Sequence, residues 1–178
     1  MLKLLFSLLL FMSPVLAQVP TSNPVAAAGC GPNEIRFDVK TDKKQHPTAQ
    51  PEGGKAIVYV IGDASSDHLD FHIGSPTTRF GVDGSWVGAN GYRSYFFFTV
   101  DPGDHRLCTN MQTKFEKLVK NSTAATSFTA EAGKSYYFRT KTPERPVSGE
   151  EVNLVPVDPA EAQVLLANAA FSSFHLKK

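Results

Sequence analysis

The sequence predicts an all-β protein, an antiparallel β-sandwich closed by one short C-terminal helix. Three observations carry this reading. Seven or eight short runs of strand-forming residues follow one another between residues 35 and 156. Turn chemistry separates them at near-regular intervals, with Asp83-Gly84, Pro102-Gly103 and Ala132-Gly133-Lys134 as its clearest instances. Only one stretch, DPAEAQVLLANAA from Asp158, carries helix-start signals. Sandwiches of immunoglobulin-like or transthyretin-like type have this rhythm of strands and turns.

The chain opens MLKLLFSLLLFMSPVLAQVP, with Lys3 before an apolar run from Leu4 to Met12 and a Val-Leu-Ala pattern ending at Ala17. That order predicts a signal peptide over residues 1–17, cleaved near Ala17. The run is well short of the roughly 20 apolar residues a spanning helix needs, and no second stretch of that length follows, so no transmembrane segment is expected in the mature chain. Residues 18–33, QVPTSNPVAAAGCGPN, lack any periodic apolar face and read as a flexible lead-in. The sandwich is assigned to residues 34–157 and the helix with its tail to 158–178. A lipoprotein processing site at Cys30 is the weaker reading, because AAAGC lies far beyond the apolar run and lacks the usual leucine. The expected location is periplasmic or secreted.

Each element has its own justification. EIRFDVK alternates Ile35, Phe37 and Val39 with charged residues, the period of a strand with one buried face. TDKKQHPTAQPEGG is a loop by composition. KAIVYVIG, residues 55–62, is a continuous β-branched run short enough for a strand buried on both faces. In TTRFGVDGSWVGA, Asp83-Gly84 supplies the two positive φ angles of a type I′ turn and predicts a hairpin. SYFFFTV (94–100) and DHRLCTN (104–110) read as a second hairpin, with Pro102 presetting φ and Gly103 taking the left-handed position. ATSFTAEAGKSYYFRTKT repeats the form around Gly133, and residues 150–156 offer one more strand. Asp158 is the expected helix cap, Pro159 fits the first helical position, and Glu161 completes a capping-box-like pair.

The segments GKAIVYVI, TTRFGVDGSWVGA, SYFFFTVDPGDHRLC and FTAEAGKSYYFR, within about residues 53–140, resemble the bacterial family described as domain of unknown function 2846. The Asp-Gly and Pro-Gly hairpins are also similar to PEGA-type surface domains. The resemblance implies a secreted or lipoprotein sandwich serving as an envelope binding or structural module, and implies no activity. Asp83, Gly84, Gly88, Pro102, Gly103, Gly133 and Tyr137 occupy its defining positions, where turn geometry and packing are the economical roles.

Charge and cysteines narrow the function. Of 18 basic residues Lys3 belongs to the leader, leaving 17 against 17 acidic ones. A neutral chain without a cationic run does not suit binding to phosphate backbones, so nucleic acid is not an expected partner. The two cysteines, Cys30 and Cys108, are expected to pair in an oxidising compartment. Closing so long a loop contributes about 4–5 kcal/mol in the chain-entropy model.

Candidate chemistry is sparse. His68, Asp70 and His72 alternate in DHLDFH and would share one face of an extended segment, as zinc ligands do. Neighbouring members on such a face stand about 7 Å apart, too far to converge on one ion without bending, so an exposed polar edge is preferred and no metal or other cofactor is assigned. His105 near Cys108 invites a thiol mechanism, which a disulfide would abolish. No GxSxG, SxxK, HExxH, CxxC or phosphate-cradling glycine loop occurs, and no enzyme is assigned. The NST at residues 121–123 is treated as a chance match to a glycosylation acceptor.

The aromatic run is the remaining feature. Tyr92, Tyr95, Phe96, Phe97 and Phe98 are all expected to pack in a two-sheet core. The functional reading takes Trp86, Tyr92 and Tyr95 as a platform for an envelope protein or cell-wall glycan, with Arg93 at its rim. The expectation is therefore a non-catalytic envelope binding module. A metal-dependent or thiol enzyme on the same scaffold, and a purely structural envelope protein, stand as alternatives.

Overall fold

A computed structural model of the protein describes residues 30–63, 77–112, 123–141 and 152–177. The expected signal peptide, residues 18–29 of the lead-in, and His68, Asp70 and His72 lie outside the described residues.

Ten strands and one helix are described. They are β1 (Phe37–Asp42), β2 (Ala56–Asp63), β3 (Thr77–Val82), β4 (Ser85–Asn90), β5 (Ser94–Val100), β6 (Gly103–Gln112), β7 (Thr123–Ala130), β8 (Ser135–Lys141), β9 (Asn153–Pro156), α1 (Pro159–Asn168) and β10 (Ala170–Leu176). Two sheets form, one ordered β1-β10-β5-β2-β8-β9 and the other β4-β3-β6-β7. All pairings are antiparallel except β10 with β5 and β2 with β8. The fold is the all-β sandwich the strand rhythm predicts.

Strand alternation builds the core. Val58 and Val60 of β2, Phe96 of β5, Phe80 and Val82 of β3, Leu107 of β6 and Phe138 of β8 are buried together between the sheets. The opposite faces of β2 and β5 carry Ile57, Tyr59, Ile61 and Tyr95, which pack with Leu166 and Ala169 at the end of the helix. β2 is thus covered on both sides, as its uninterrupted apolar sequence requires. Tyr59 and Tyr95 are tied to the preceding loop, where the Tyr59 hydroxyl accepts from Ala49 N–H at 2.9 Å and the Tyr95 hydroxyl donates to the Pro47 carbonyl at 2.9 Å.

The Asp83-Gly84 hairpin forms as expected, with φ of 51° and 87° and with β3 and β4 paired on either side. Two other turns depart from expectation. β5 lies between β10 and β2 in the larger sheet, whereas β6 lies between β3 and β7 in the smaller one. The Asp101–Pro102 corner leading into Gly103 therefore carries the chain across the sandwich rather than back along the same sheet. Likewise β7 and β8 belong to different sheets, and the Gly133 turn between them is a crossover. The same proline and glycine chemistry serves either job.

The C-terminal end departs further. Asp158 caps α1 by accepting from Ala160 N–H at 2.9 Å and Glu161 N–H at 3.0 Å. Glu161 does not return to the cap; its carboxylate accepts from Arg139 at 2.5 Å. Beyond the helix the expected tail is β10, inserted between β1 and β5. Phe174 from this strand lies 4.9 Å from Phe96 in the core. Ser172, 1% exposed, meets Ser94 Oγ at 2.7 Å. Residues 170–176 are consequently part of the sandwich, and the strand count rises beyond the expected seven or eight.

Candidate functional site

The predicted aromatic platform does not assemble. Trp86 sits near the start of β4 and Tyr92 beyond its end, roughly 20 Å apart at about 3.4 Å per residue. Tyr95 is 1% exposed, because alternation along β5 turns it under the helix, where Phe171 packs at 5.5 Å. Tyr92 and Arg93 occupy the turn between β4 and β5; the Arg93 guanidinium lies 5.5 Å from the Tyr92 ring, and Arg93 has a φ of 53°.

Trp86 belongs to a different structure. The segment Cys30 to Arg36 crosses the outer face of the smaller sheet as a strap before entering β1. Cys30 and Cys108 form a disulfide with Cα atoms 5.4 Å apart, and Trp86 packs against it. The Trp86 indole donates to the Pro32 carbonyl at 2.7 Å. Arg79, on the same face and 1% exposed, donates to the carbonyls of Asn33 and Ile35 and to Asn110 Oδ1, with its guanidinium 4.4 Å from the Trp86 ring. Its Nε has no partner among the described residues. Burial, with the neighbouring Arg36 charge, pulls its pKa down to about 10, so it remains cationic at neutral pH. Gln112 completes the strap by bonding both Phe37 N–H, at 2.9 Å, and Phe37 C=O, at 2.8 Å. The residues at the end of the expected flexible lead-in are therefore fixed: Cys30 is fully buried.

His105 is committed to the end of the sandwich. Its Nδ1 stands 2.7 Å from Asp83 Oδ2 and its Nε2 stands 2.7 Å from the Asp101 carbonyl. Arg106 N–H donates to the other Asp83 oxygen at 2.8 Å. Burial alone would lower the His105 pKa, but its bonds to Asp83 and Asp101 and their charges outweigh it and raise the pKa above 6.5. For Asp83, partial burial acts upward, while the bonds from Arg106 and His105 and the His105 charge hold the carboxyl below 3.8. Both ring nitrogens face acceptors, so the protonated imidazolium is the form that satisfies both. Cys108, being disulfide-bonded, provides no thiolate for His105 to activate. Among the described residues no three His, Cys, Asp or Glu side chains gather as metal ligands.

A cleft of about 380 Å³ opens at the side of the sandwich where β7 of one sheet faces β8 and β9 of the other. Thr126, Ser127 and Phe128 form one wall, Ser135, Tyr136, Tyr137 and Phe138 another, and Pro156, Val157 and Pro159 close the end. None of these side chains is charged at neutral pH. Phe128 is the hub, with ring centroids 5.4 Å from Tyr136 and 5.1 Å from Phe138, and Tyr137 stacks on Tyr59 at 5.1 Å. β9 pairs with β8 from Phe138 onward, and just past it Val157 N–H donates to the Tyr137 carbonyl at 2.9 Å, so the cleft lies where this pairing ends. Tyr137 and Gly133 were legible as pattern positions, whereas the wall from β7 was not. The signal that points to it is an uncharged strand, TAATSFTA, at a sheet edge.

No protein-family model, no curated protein and no solved structure matches the chain.

Proposed function

We propose that the protein is a non-catalytic binding module of the cell envelope, exported to the periplasm or the exterior, whose cleft between β7 and β8 receives part of an envelope component. The single observation that carries this reading is the cleft itself. It is concave, built on rigid strands, lined by aromatic and proline side chains, and near the lower end of the usual volume of ligand sites. The paired Cys30 and Cys108 support an oxidising compartment, as does the leader-like N-terminus. The groups best suited to acid-base or nucleophilic chemistry, His105 and Cys108, are engaged in holding the fold.

The test is sedimentation of the purified protein, beginning at Gln18, with washed cell-envelope fragments. Binding is expected to saturate. Ser135→Arg, which sets a long cation at the uncharged cleft, is expected to weaken it about tenfold, or about 1.4 kcal/mol. Binding that never saturates, or that Ser135→Arg leaves unchanged, contradicts the reading.

A further inference from the structure

The cleft has an ionisable neighbour that is held from two sides. His105 on β6 stands directly opposite Phe128 on β7, and their ring centroids are 5.6 Å apart. Phe128 is the part of the cleft wall that packs on Tyr136 and Phe138. The His105 side chain is only 13% exposed, and its two nitrogens reach two different connections. Nδ1 meets Asp83 at the tip of the β3–β4 hairpin, and Nε2 meets the Asp101 carbonyl at the corner between the sheets, each at 2.7 Å.

The charges that act on the ring are the carboxylates of Asp83 and Asp101, the second of them paired with Lys55 at 2.6 Å. On β6 itself, Asp104 accepts from the Thr129 hydroxyl at 2.6 Å and the Arg106 N–H donates to Asp83. β7 contributes no ionisable side chain. Both ring contacts are hydrogen bonds only while the imidazole carries two protons. When one is lost, the remaining N–H stays with the Asp83 carboxylate, because a charge-assisted bond is the stronger. The Nε2 lone pair then faces the Asp101 carbonyl oxygen, and two acceptors at hydrogen-bond distance repel. Ring and corner must separate, and Phe128 lies against the ring.

We propose that His105 is a pH-sensitive latch on the cleft: its imidazolium, bonded to Asp83 and Asp101, holds the Phe128 wall in place, and loss of one proton loosens that wall. This rests on the binding-module reading above and supplies its regulation. A protein exported beyond the cytoplasm meets the pH of its surroundings, and histidine is the side chain suited to report it. The wall is held below the raised His105 pKa and released as pH rises through it.

The experiment follows the His105 imidazole and the ring-flip rate of Phe128 by NMR, in the protein beginning at Gln18, from about pH 5.5 to about pH 9. Flips are expected to quicken at least threefold across the midpoint of the imidazole titration. A neighbouring charge alone would shift the Phe128 resonances and leave the flip rate unchanged. Asp83→Asn is expected to move both midpoints to lower pH together, and His105→Gln to make the flip rate independent of pH. In sedimentation with washed envelope fragments, the half-saturating concentration is expected to be about threefold lower near pH 6 than near pH 8.5, and equal at both in His105→Gln. A flip rate that ignores the imidazole titration would overturn the latch. Saturable binding that Ser135→Arg weakens but that has one affinity at both pH values would also overturn it, leaving the binding-module reading standing. Flip rates that follow His105 without any saturable envelope binding would uphold the latch and remove that reading.

Discussion

Asp83 illustrates how far a single residue can be read from sequence. Its place before Gly84 announces a type I′ turn, but its second role, accepting from His105 and Arg106 across the neighbouring strand, depends on a register that no local pattern reports. That role has a pH signature. A native His105 pKa above its ordinary 6.5 stabilises the fold fully below that value, and the contribution is lost as pH rises through the raised native pKa. Asp83 acts in the opposite direction: its contribution is present above 3.8 and lost as pH falls through the lowered native value. Because the Asp83 side chain is 49% exposed, the pair is worth only about 0.5 kcal/mol. Asp83→Asn keeps a residue suited to positive φ and is expected to lower the His105 pKa, which proton NMR titration of the imidazole reads; an unmoved titration would contradict the pairing. Gly81 was not singled out by sequence at all. A Cβ there would lie 2.2 Å from the Cys30 carbonyl oxygen, so Gly81→Ala must displace the strap and should cost about 1–3 kcal/mol in urea unfolding. A cost near zero would mean the strap does not press on the sheet.

Elements were legible where periodicity and caps agree, as in β2, the β3–β4 hairpin and α1. Asp158→Ala removes the two bonds at the start of α1 and is expected to cost about 1 kcal/mol by thermal or urea unfolding. β10 was not legible for a physical reason. AFSSFHL breaks the apolar alternation with serines, and Ser172 can face inward because Ser94 of the neighbouring strand and the Gly91 N–H satisfy it. Its sequence therefore resembles a tail while its position between β1 and β5 makes it structural. A chain ending at Ala169 would strip both partners of hydrogen bonds and remove Phe174 from the core. It is expected to show no cooperative unfolding transition in circular dichroism. Retention of a sharp transition would show that β10 is dispensable. The corners at Pro102 and Gly133 were recognisable as turns, yet their direction was hidden because hairpins and inter-sheet corners use the same residues.

The molecule as a whole is a sandwich fastened on one outer face by a disulfide-anchored strap and covered on the other by a helix and loop. Cysteine count and compartment foretold the Cys30–Cys108 bond, but not that Arg79 and Trp86 would be its companions. The bond spans a sequence separation of 78 residues, and its reduction is expected to lower the unfolding free energy by about 2–4 kcal/mol; equal urea midpoints with and without reductant would contradict that role. With both outer faces engaged, the proposed binding falls to the side of the sandwich, at the uncharged cleft beside β7. A photo-crosslinking amino acid at Ser127, compared with one at Ser173, measures this in the native envelope. A recurrent adduct of one size from position 127 and none from position 173 is the expected result. No adduct from position 127, or the same adducts from both positions, would contradict the assignment of the cleft as the binding face.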